Sequence, residues 1–334
     1  MDLEVFFLVS FISVFNFVIY LKFDTISGNF VFFDKPDGKL KRHSKPVSLI
    51  GGLVILVNLY LITFFLKLLE IDNSIFEGNY AYAVIILSTL YYLIGLIDDL
   101  KDLTPMIKLS FIVFSTFFVI YLFPEINLKH FKISFLEKNY HFKYSILFLI
   151  LAFALLSNSM NMFDGINLQL LLYTFFVFIV FILKSFNPIF FALLLICLLF
   201  LSILNFKNKV YLGDGGAYLL SSIIGCTFIY QYNNFDNFLS GDEIFIILFI
   251  PSIDMLRLFL IRSLNKKNPF KGDLNHLHHI LNNHFKNSNY SIIISTLLFV
   301  FPSLLLILKL ETYYISIISI IVYTLIITNL KKNL

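Results

Sequence analysis

Long apolar runs, each close to the length of a bilayer-crossing helix, follow one another along the chain with short polar interruptions. Roughly 20 residues at 1.5 Å rise cross a hydrocarbon core, so runs of about 17–25 apolar residues read as transmembrane helices. Eleven segments fit: 3–21, 47–68, 80–97, 106–123, 144–157, 168–185, 189–205, 213–231, 243–261, 290–309 and 312–329. The fifth is short and is expected to extend into its flanks. The last two are joined by a tight turn at Lys309 to Thr312. The pattern predicts an all-α, polytopic integral membrane protein of about 10–11 transmembrane helices. It forms a single membrane domain over residues 1–334, with no soluble domain and no internal repeat. Residues 3–21 lack a basic leader and a small-residue cleavage site, and read as a retained helix.

Composition agrees with this reading. The 334 residues are 59% hydrophobic and 14% charged, with a mean hydropathy of +0.87. That exceeds what a soluble domain of this size needs. A net charge of +4 is too small to argue for nucleic acid. Cys197 and Cys226 lie inside apolar runs without partners at metal-ligand spacing, and read as buried thiols.

Loop charge sets an orientation. With the N-terminus outside, seventeen Lys and Arg fall on the inner side and four on the outer: Lys129, Lys132, Lys138 and Lys143. Cytoplasmic loops are the basic ones, so the N-terminus is expected outside and the C-terminus inside. The moderately basic outer segment 124–143 is expected to form an amphipathic hairpin on the outer surface.

Four polar clusters then fall at segment ends on the cytoplasmic face. The first is Asp98-Asp99-Leu100-Lys101-Asp102, followed by Lys108. Adjacent carboxylates can bind Mg²⁺, or one can act as a base that the other positions; a helix-capping acidic turn is the plainer alternative. Lys108 is a snorkelling anchor or a phosphate ligand. The second cluster places Asn158, Asn161 and Asp164 at i, i+3, i+6 along one helix face before the breaker Gly165, with Asn167 beyond. Such amides read a base edge or complete a metal shell, or hydrogen-bond between helices. The third, Gly213-Asp214-Gly215-Gly216, lets a ligand approach the backbone and opens a helix whose N-terminus favours anions. The fourth runs from Asn268 to His279 and includes Lys271, His276, His278 and His279. Its basic character suits a diphosphate better than zinc. Arg42 and His43 lie in a basic first loop before Gly51-Gly52, which a lipid headgroup explains as well as catalysis does.

In this order, the Asp-Asp pair, N-x-x-N-x-x-D-G, L-G-D-x-G and N-P-F-x-x-D-x-x-H-x-H-H resemble the polyprenyl-phosphate N-acetylhexosamine-1-phosphate transferases. These are the MraY/WecA-like members of glycosyltransferase family 4. The Arg42-His43…Pro46…Gly51-Gly52 pattern fits too, and the likeness covers about residues 30–285. The His276-Leu277-His278-His279 form looks like the WecA-like branch, which primes O-antigen, enterobacterial common antigen and teichoic acid.

The resemblance implies a bacterial inner (cytoplasmic) membrane enzyme, multi-pass, with its active site at the cytoplasmic face. A polyprenyl phosphate such as undecaprenyl phosphate attacks the β-phosphorus of a UDP-N-acetylhexosamine, UDP-N-acetylglucosamine or a related sugar. UMP leaves, and cell-surface glycan synthesis begins. Mg²⁺ or Mn²⁺ is the implied cofactor, held by Asp214 with Asp98. Asp98, Asp99 and Lys108 are the implied catalytic group, with Asp98 the base on the lipid phosphate. Asn161 and Asp164 match nucleotide-side positions, and Asn158 and Asn167 are placed with them as substrate-binding residues. His276, His278 and His279, with Arg42 and His43, match substrate-binding positions. The bilayer is a partner, nucleic acid is not, and a homodimer stays open. The chain departs from the usual D-G-I-D-G-L in reading Asp164-Gly165-Ile166-Asn167-Leu168-Gln169, which puts sugar-nucleotide choice in question. A phospho-MurNAc-pentapeptide transferase of the peptidoglycan branch is the alternative enzyme. A transporter with an acidic ion path is the alternative of another class. It would place charges near helix centres, where only Asp254 lies, paired three residues on with Arg257 and read as lining the site.

Overall fold

The computed structural model describes residues 3–30, 32–34, 46–71, 75, 79–136, 138–140, 144–184, 186–234, 239–269 and 274–332. The helices in chain order are α1 (Leu3–Leu21), α2 (Phe23–Gly28), α3 (Gly51–Leu68), α4 (Tyr80–Lys101), α5 (Pro105–Leu122), α6 (Ser145–Phe163) and α7 (Gln169–Leu183). They continue with α8 (Pro188–Phe206), α9 (Gly213–Asn234), α10 (Gly241–Ile247), α11 (Phe249–Leu264), α12 (Leu277–Phe285), α13 (Ser288–Ile307) and α14 (Thr312–Lys332). Two short antiparallel pairs complete the set: β1 (Phe33–Asp34) with β2 (Val47–Ser48), and β3 (Phe131–Ile133) with β4 (Lys138–Tyr140). Each of the eleven apolar runs is mainly helical, with the second entering its helix only at Gly51 and the ninth split into α10 and α11, and the 124–143 segment does contain a hairpin. The chain is an all-α polytopic membrane protein.

Among the described residues, eight helices are long and apolar enough to cross a membrane, and nine if the bent pair α10–α11 is one span. The runs that fall short do so for physical reasons. α7 has only 15 residues. α9 is rich in Gly, Ser and Thr and nearly wholly buried, so neighbouring helices rather than its own side chains shield it from lipid. Helices α10 and α11 meet at 79°. Pro251 has no N–H to offer the Ile247 carbonyl one turn earlier, and the Tyr173 hydroxyl donates to that carbonyl instead at 3.2 Å.

The chain divides into two compact units. The first comprises residues 1–127 and 174–231. Its centre is α9, which runs antiparallel to α4 along a seam of small and polar contacts. Tyr80 meets Thr227 at 2.7 Å, Ser88 meets Ser222 at 2.8 Å, and Gly95 lies against the Gly215 backbone. In a bilayer the hydrophobic effect does not join helices; close backbone approach and such hydrogen bonds do. The opening turn of α3 is tied to the segment before α9, where Val210 bridges to Ser48. Gly51 and Gly52 donate to the carbonyls of Tyr211 and Leu212 at 3.2 Å each, and Tyr211 donates to Ser48 at 2.8 Å. A side chain at Gly52 would lie 2.6 Å from the Gly216 nitrogen, which accounts for glycine there. Both cysteines are free and buried in this unit, as expected.

The second unit comprises residues 128–173 and 232–334. It holds the β3–β4 hairpin, α6, α10, α11, α12, α13 and α14. Asp242 rivets its ends, accepting from the Ser134 amide at 2.9 Å, the Ser134 hydroxyl and the Thr312 hydroxyl. A capping box of Ser240 and Glu243 starts α10 beside it. α12 was not foreseen: nine residues inside a polar loop are too few to show a membrane-type run.

Candidate active site

In the first unit, the last turn of α4, the first turn of α5 and the first turn of α9 bring four of the expected residues together. Asp99 turns both carboxylate oxygens onto the α9 N-terminus, accepting from the Asp214 amide at 3.0 Å and the Gly215 amide at 3.4 Å. A helix N-terminus offers unpaired N–H groups and a partial positive charge. Here the anion it receives is the chain's own Asp99. Asp98, one residue earlier, accepts the Leu103 amide at 2.8 Å and pairs with Lys108. Lys108 also reaches Asp214 at 3.6 Å. An ammonium is thus held between two carboxylates. Asp98 is almost fully buried, whereas the Asp214 side chain is 29% exposed and is the open member of the set.

These carboxylates suit a divalent cation. Mg²⁺ takes only one or two protein carboxylates and fills its remaining positions with water and phosphate oxygens. Asp214, the more open carboxylate, supplies a hard oxygen donor, and Asp98 would supply a second through the oxygen that now pairs with Lys108; its other oxygen accepts from the Leu103 amide, and Asp99 is committed to two backbone amides. Among the described residues no group of three His, Cys, Asp or Glu is arranged to hold a metal ion; Asp214 with Asp98 is the pair that would hold one, with water and phosphate oxygens completing its shell.

In the second unit, α6 ends at Phe163, and its C-terminal turn and the corner beyond carry the half-buried Asn158, Asn161, Asp164 and Asn167. Asn158 donates its side-chain amide to the Ala154 carbonyl of its own helix at 2.7 Å. Gly165 lies directly against His278: a methyl group there would overlap the imidazole. The structure therefore joins the Asn-Asp corner to the histidine segment, which spacing alone did not imply. His278 is 2% exposed. Burial, then the neighbouring His279 and His276, holds its imidazole well below the usual histidine range, so the ring is neutral at pH 7. Its visible role is to pack the corner; His276 is buried beside it and bonded to Asp254, and His279 is the half-buried member of the three. The ring of His276 stacks parallel on His278 at 5.5 Å, and His279 lies 4.1 Å from His278. Asp254 and Arg257 form the expected ion pair, at 2.7 Å, and Asp254 also bonds His276. The Tyr323 hydroxyl joins them at 2.6 Å from Asp254, a participant that no local pattern had marked. Arg42, His43 and Lys271 lie outside the described residues.

The departure at 164–169 has a visible consequence. Leu168 has φ +67°, where a glycine is at ease and an L side chain is strained. That is the position of the second glycine in the D-G-I-D-G-L pattern. Gln169, next to it, is 1% exposed, and the structure gives its amide no hydrogen-bond partner. Leu168→Gly is expected to leave thermal stability unchanged or raised. Leu168→Val, β-branched at a left-handed position, should lower Tm by several degrees, since such backbone strain costs about 1–3 kcal/mol. Thermal unfolding of the two variants in detergent checks the order, and equal Tm values would remove the strain.

The fold and the acid–lysine–acid cluster define a multi-pass membrane enzyme. Residues 81–232 match the family model described as glycosyl transferase family 4. A protein of Thermotoga maritima named undecaprenyl-phosphate alpha-N-acetylglucosaminyl 1-phosphate transferase is 26% identical over 257 residues, covering 75% of this chain and 72% of the relative. Over residues 81–232 the chain is similar to glycosyl transferase family 4, and the two comparisons together support a transferase of the glycosyl-1-phosphate class. The transporter reading is set aside on that ground. The matched region contains Asp98, Asp99, Lys108, Asn158, Asn161, Asp164, Asn167 and Asp214; the histidine segment lies beyond it.

Proposed function

We propose that this protein transfers N-acetylhexosamine-1-phosphate from a UDP-sugar to a polyprenyl phosphate, as a WecA-like enzyme that begins a cell-surface glycan. The observation that carries the reading is Lys108 held between Asp98 and Asp214 at the mouths of three helices. Phosphoryl transfer between two anions needs charge neutralisation and positioning more than covalent help. Lys108 supplies a cation for the lipid phosphate. Asp98 takes the proton from that phosphate as its oxygen attacks. The new bond forms to the β-phosphorus, the bond from that phosphorus to the bridging oxygen breaks, and UMP leaves with that oxygen. Asp99 keeps α9 in place so that Asp214 stays beside Lys108. A divalent cation such as Mg²⁺, held by Asp214 and Asp98, would supply the remaining neutralisation of phosphate charge. His276 and His279 are assigned to the diphosphate of the nucleotide sugar, and Asn161 and Asp164 to its nucleotide side. The name of the Thermotoga maritima relative supports undecaprenyl phosphate as acceptor and N-acetylglucosamine as the sugar.

The test is turnover by membranes holding this protein, given undecaprenyl phosphate, Mg²⁺ and a panel of UDP-sugars, with UMP as the readout. UMP from UDP-N-acetylglucosamine or a related N-acetylhexosamine supports the reading. UMP only from UDP-MurNAc-pentapeptide moves the protein to the peptidoglycan branch, and no UMP from any donor removes the proposal.

The orientation proposed with it is N-terminus outside and site cytoplasmic, supported by the basic bias of the loops. A cysteine placed at Asn234 should be labelled by an impermeant reagent from outside the cell, and one at Asn268 should not. The reverse pattern sinks the orientation and the cytoplasmic site together.

A further inference from the structure

Asp254 lies buried in α11, in a helix otherwise largely apolar. Its carboxylate is ringed by donors. Oδ1 accepts from the Tyr323 hydroxyl at 2.6 Å and from Arg257 Nη2 at 2.7 Å. The Leu277 amide lies 3.2 Å from both oxygens, and His276 Nδ1 lies 3.1 Å from Oδ2. Tyr323 in turn accepts from Arg257 Nε at 2.8 Å, so its own proton goes to Asp254. Arg257 Nη2 also holds the Asn275 carbonyl at 2.7 Å. Three consecutive residues are therefore fixed by one network: Asn275 by its carbonyl, His276 by its ring and Leu277 by its amide.

This arrangement decides the histidine's tautomer. A carboxylate surrounded by donors has only lone pairs to offer, so His276 Nδ1 carries a proton. The ring nitrogen opposite, Nε2, is left for another partner. The stack with His278 fixes the ring plane, and His279 sits at its edge, 6.2 Å away. Stability alone is a weak reason for the network. A buried ion pair often contributes no more than apolar side chains of similar volume would. Holding one imidazole in a set orientation is a use that apolar residues cannot serve.

We propose that Asp254, Arg257 and Tyr323 are positioning residues that lock His276 with Nδ1–H toward Asp254 and Nε2 toward the diphosphate of the nucleotide sugar. This rests on the reading of the chain as a UDP-sugar transferase. It adds a role for α14, a helix outside the matched family region.

Tyr323→Phe removes one hydroxyl and keeps the ring, so it carries the test. One hydrogen bond corresponds to roughly a 3–10-fold effect. The variant should lower kcat/KM for the UDP-sugar by about that factor and leave KM for polyprenyl phosphate unchanged. His276→Ala should lower the same constant further. In the double variant Tyr323→Phe should add nothing, because residues acting through one another are not additive. Asp254→Asn should follow the same pattern with a larger loss. Multiplying effects of Tyr323→Phe and His276→Ala overturn the proposal. So does a fall in Tm with unchanged kinetics, or an equal loss toward both substrates. Wild-type turnover is measured first. A wild-type protein that releases no UMP removes the transferase reading and this proposal with it; an active wild type with additive variants removes the positioning role alone.

Discussion

Asp214→Asn is expected to abolish nearly all turnover at ordinary Mg²⁺ and to leave the protein folded. The substitution keeps the shape of the side chain and removes its charge. The contact that holds the turn uses the Asp214 backbone amide, which donates to Asp99 at 3.0 Å and is untouched. What is lost is the carboxylate next to Lys108, the one in the cluster most open to a ligand. Charge neutralisation by a bound metal is worth several kcal/mol in the transition state, so a loss on the order of 1000-fold is expected. UMP release across a Mg²⁺ titration, with Tm measured in parallel, checks it. A variant that keeps most of its activity with the same Mg²⁺ dependence would show that Asp214 is not a ligand. Stability should stay within the small range of surface substitutions, about 0.5 kcal/mol, so Tm should barely move.

Length and hydropathy carried the helices, because a bilayer makes the same demand of every crossing segment. Ten of the eleven runs are essentially one helix each, the ninth is split into α10 and α11, and even the hairpin in the basic segment 124–143 was legible from its failure to fit the pattern. The bend between α10 and α11 had a local sign in Pro251 that was read through. The acidic site was half legible. Asp98-Asp99 and Gly213-Asp214-Gly215 stood out as clusters, but nothing in their spacing said that the second carboxylate of the pair would cap the helix opened by the glycines. That is a tertiary contact across 115 residues. The Asp254–Arg257 pair could be seen as charges three apart in an apolar run. Tyr323 could not, because one hydroxyl in a lipid-facing type of helix carries no periodic or charge signal. The strain at Leu168 was legible only as a missing glycine, and its cause, a left-handed φ, belongs to the folded corner.

Gly95→Ala is expected to cost both activity and stability, more than its single methyl suggests. Gly95 lies in α4, three and four residues before Asp98 and Asp99. The atoms that a methyl there would overlap are the Gly215 nitrogen and α-carbon and the Asp214 carbonyl carbon. These are backbone atoms of the first turn of α9, with no rotamer to give. Relief therefore requires α4 and α9 to part at this end of their seam. Parting pulls Asp99 away from the two amides it caps and Asp98 with Lys108 away from Asp214. Overpacking of this kind costs about 1–3 kcal/mol in stability. Misplacing a catalytic group by an ångström costs on the order of 100-fold in rate. Gly28 provides the control, since a side chain added there meets nothing within 4 Å. Gly28→Ala should match the wild type in both UMP release and Tm. Gly95→Ala should lose most UMP release and several degrees of Tm, and the loss should persist at saturating Mg²⁺ and UDP-sugar because the defect is in geometry rather than affinity. A Gly95→Ala protein indistinguishable from the Gly28→Ala control would mean that α4 and α9 do not approach this closely, and the assembly of Asp98, Asp99, Lys108 and Asp214 into one site would fall with it.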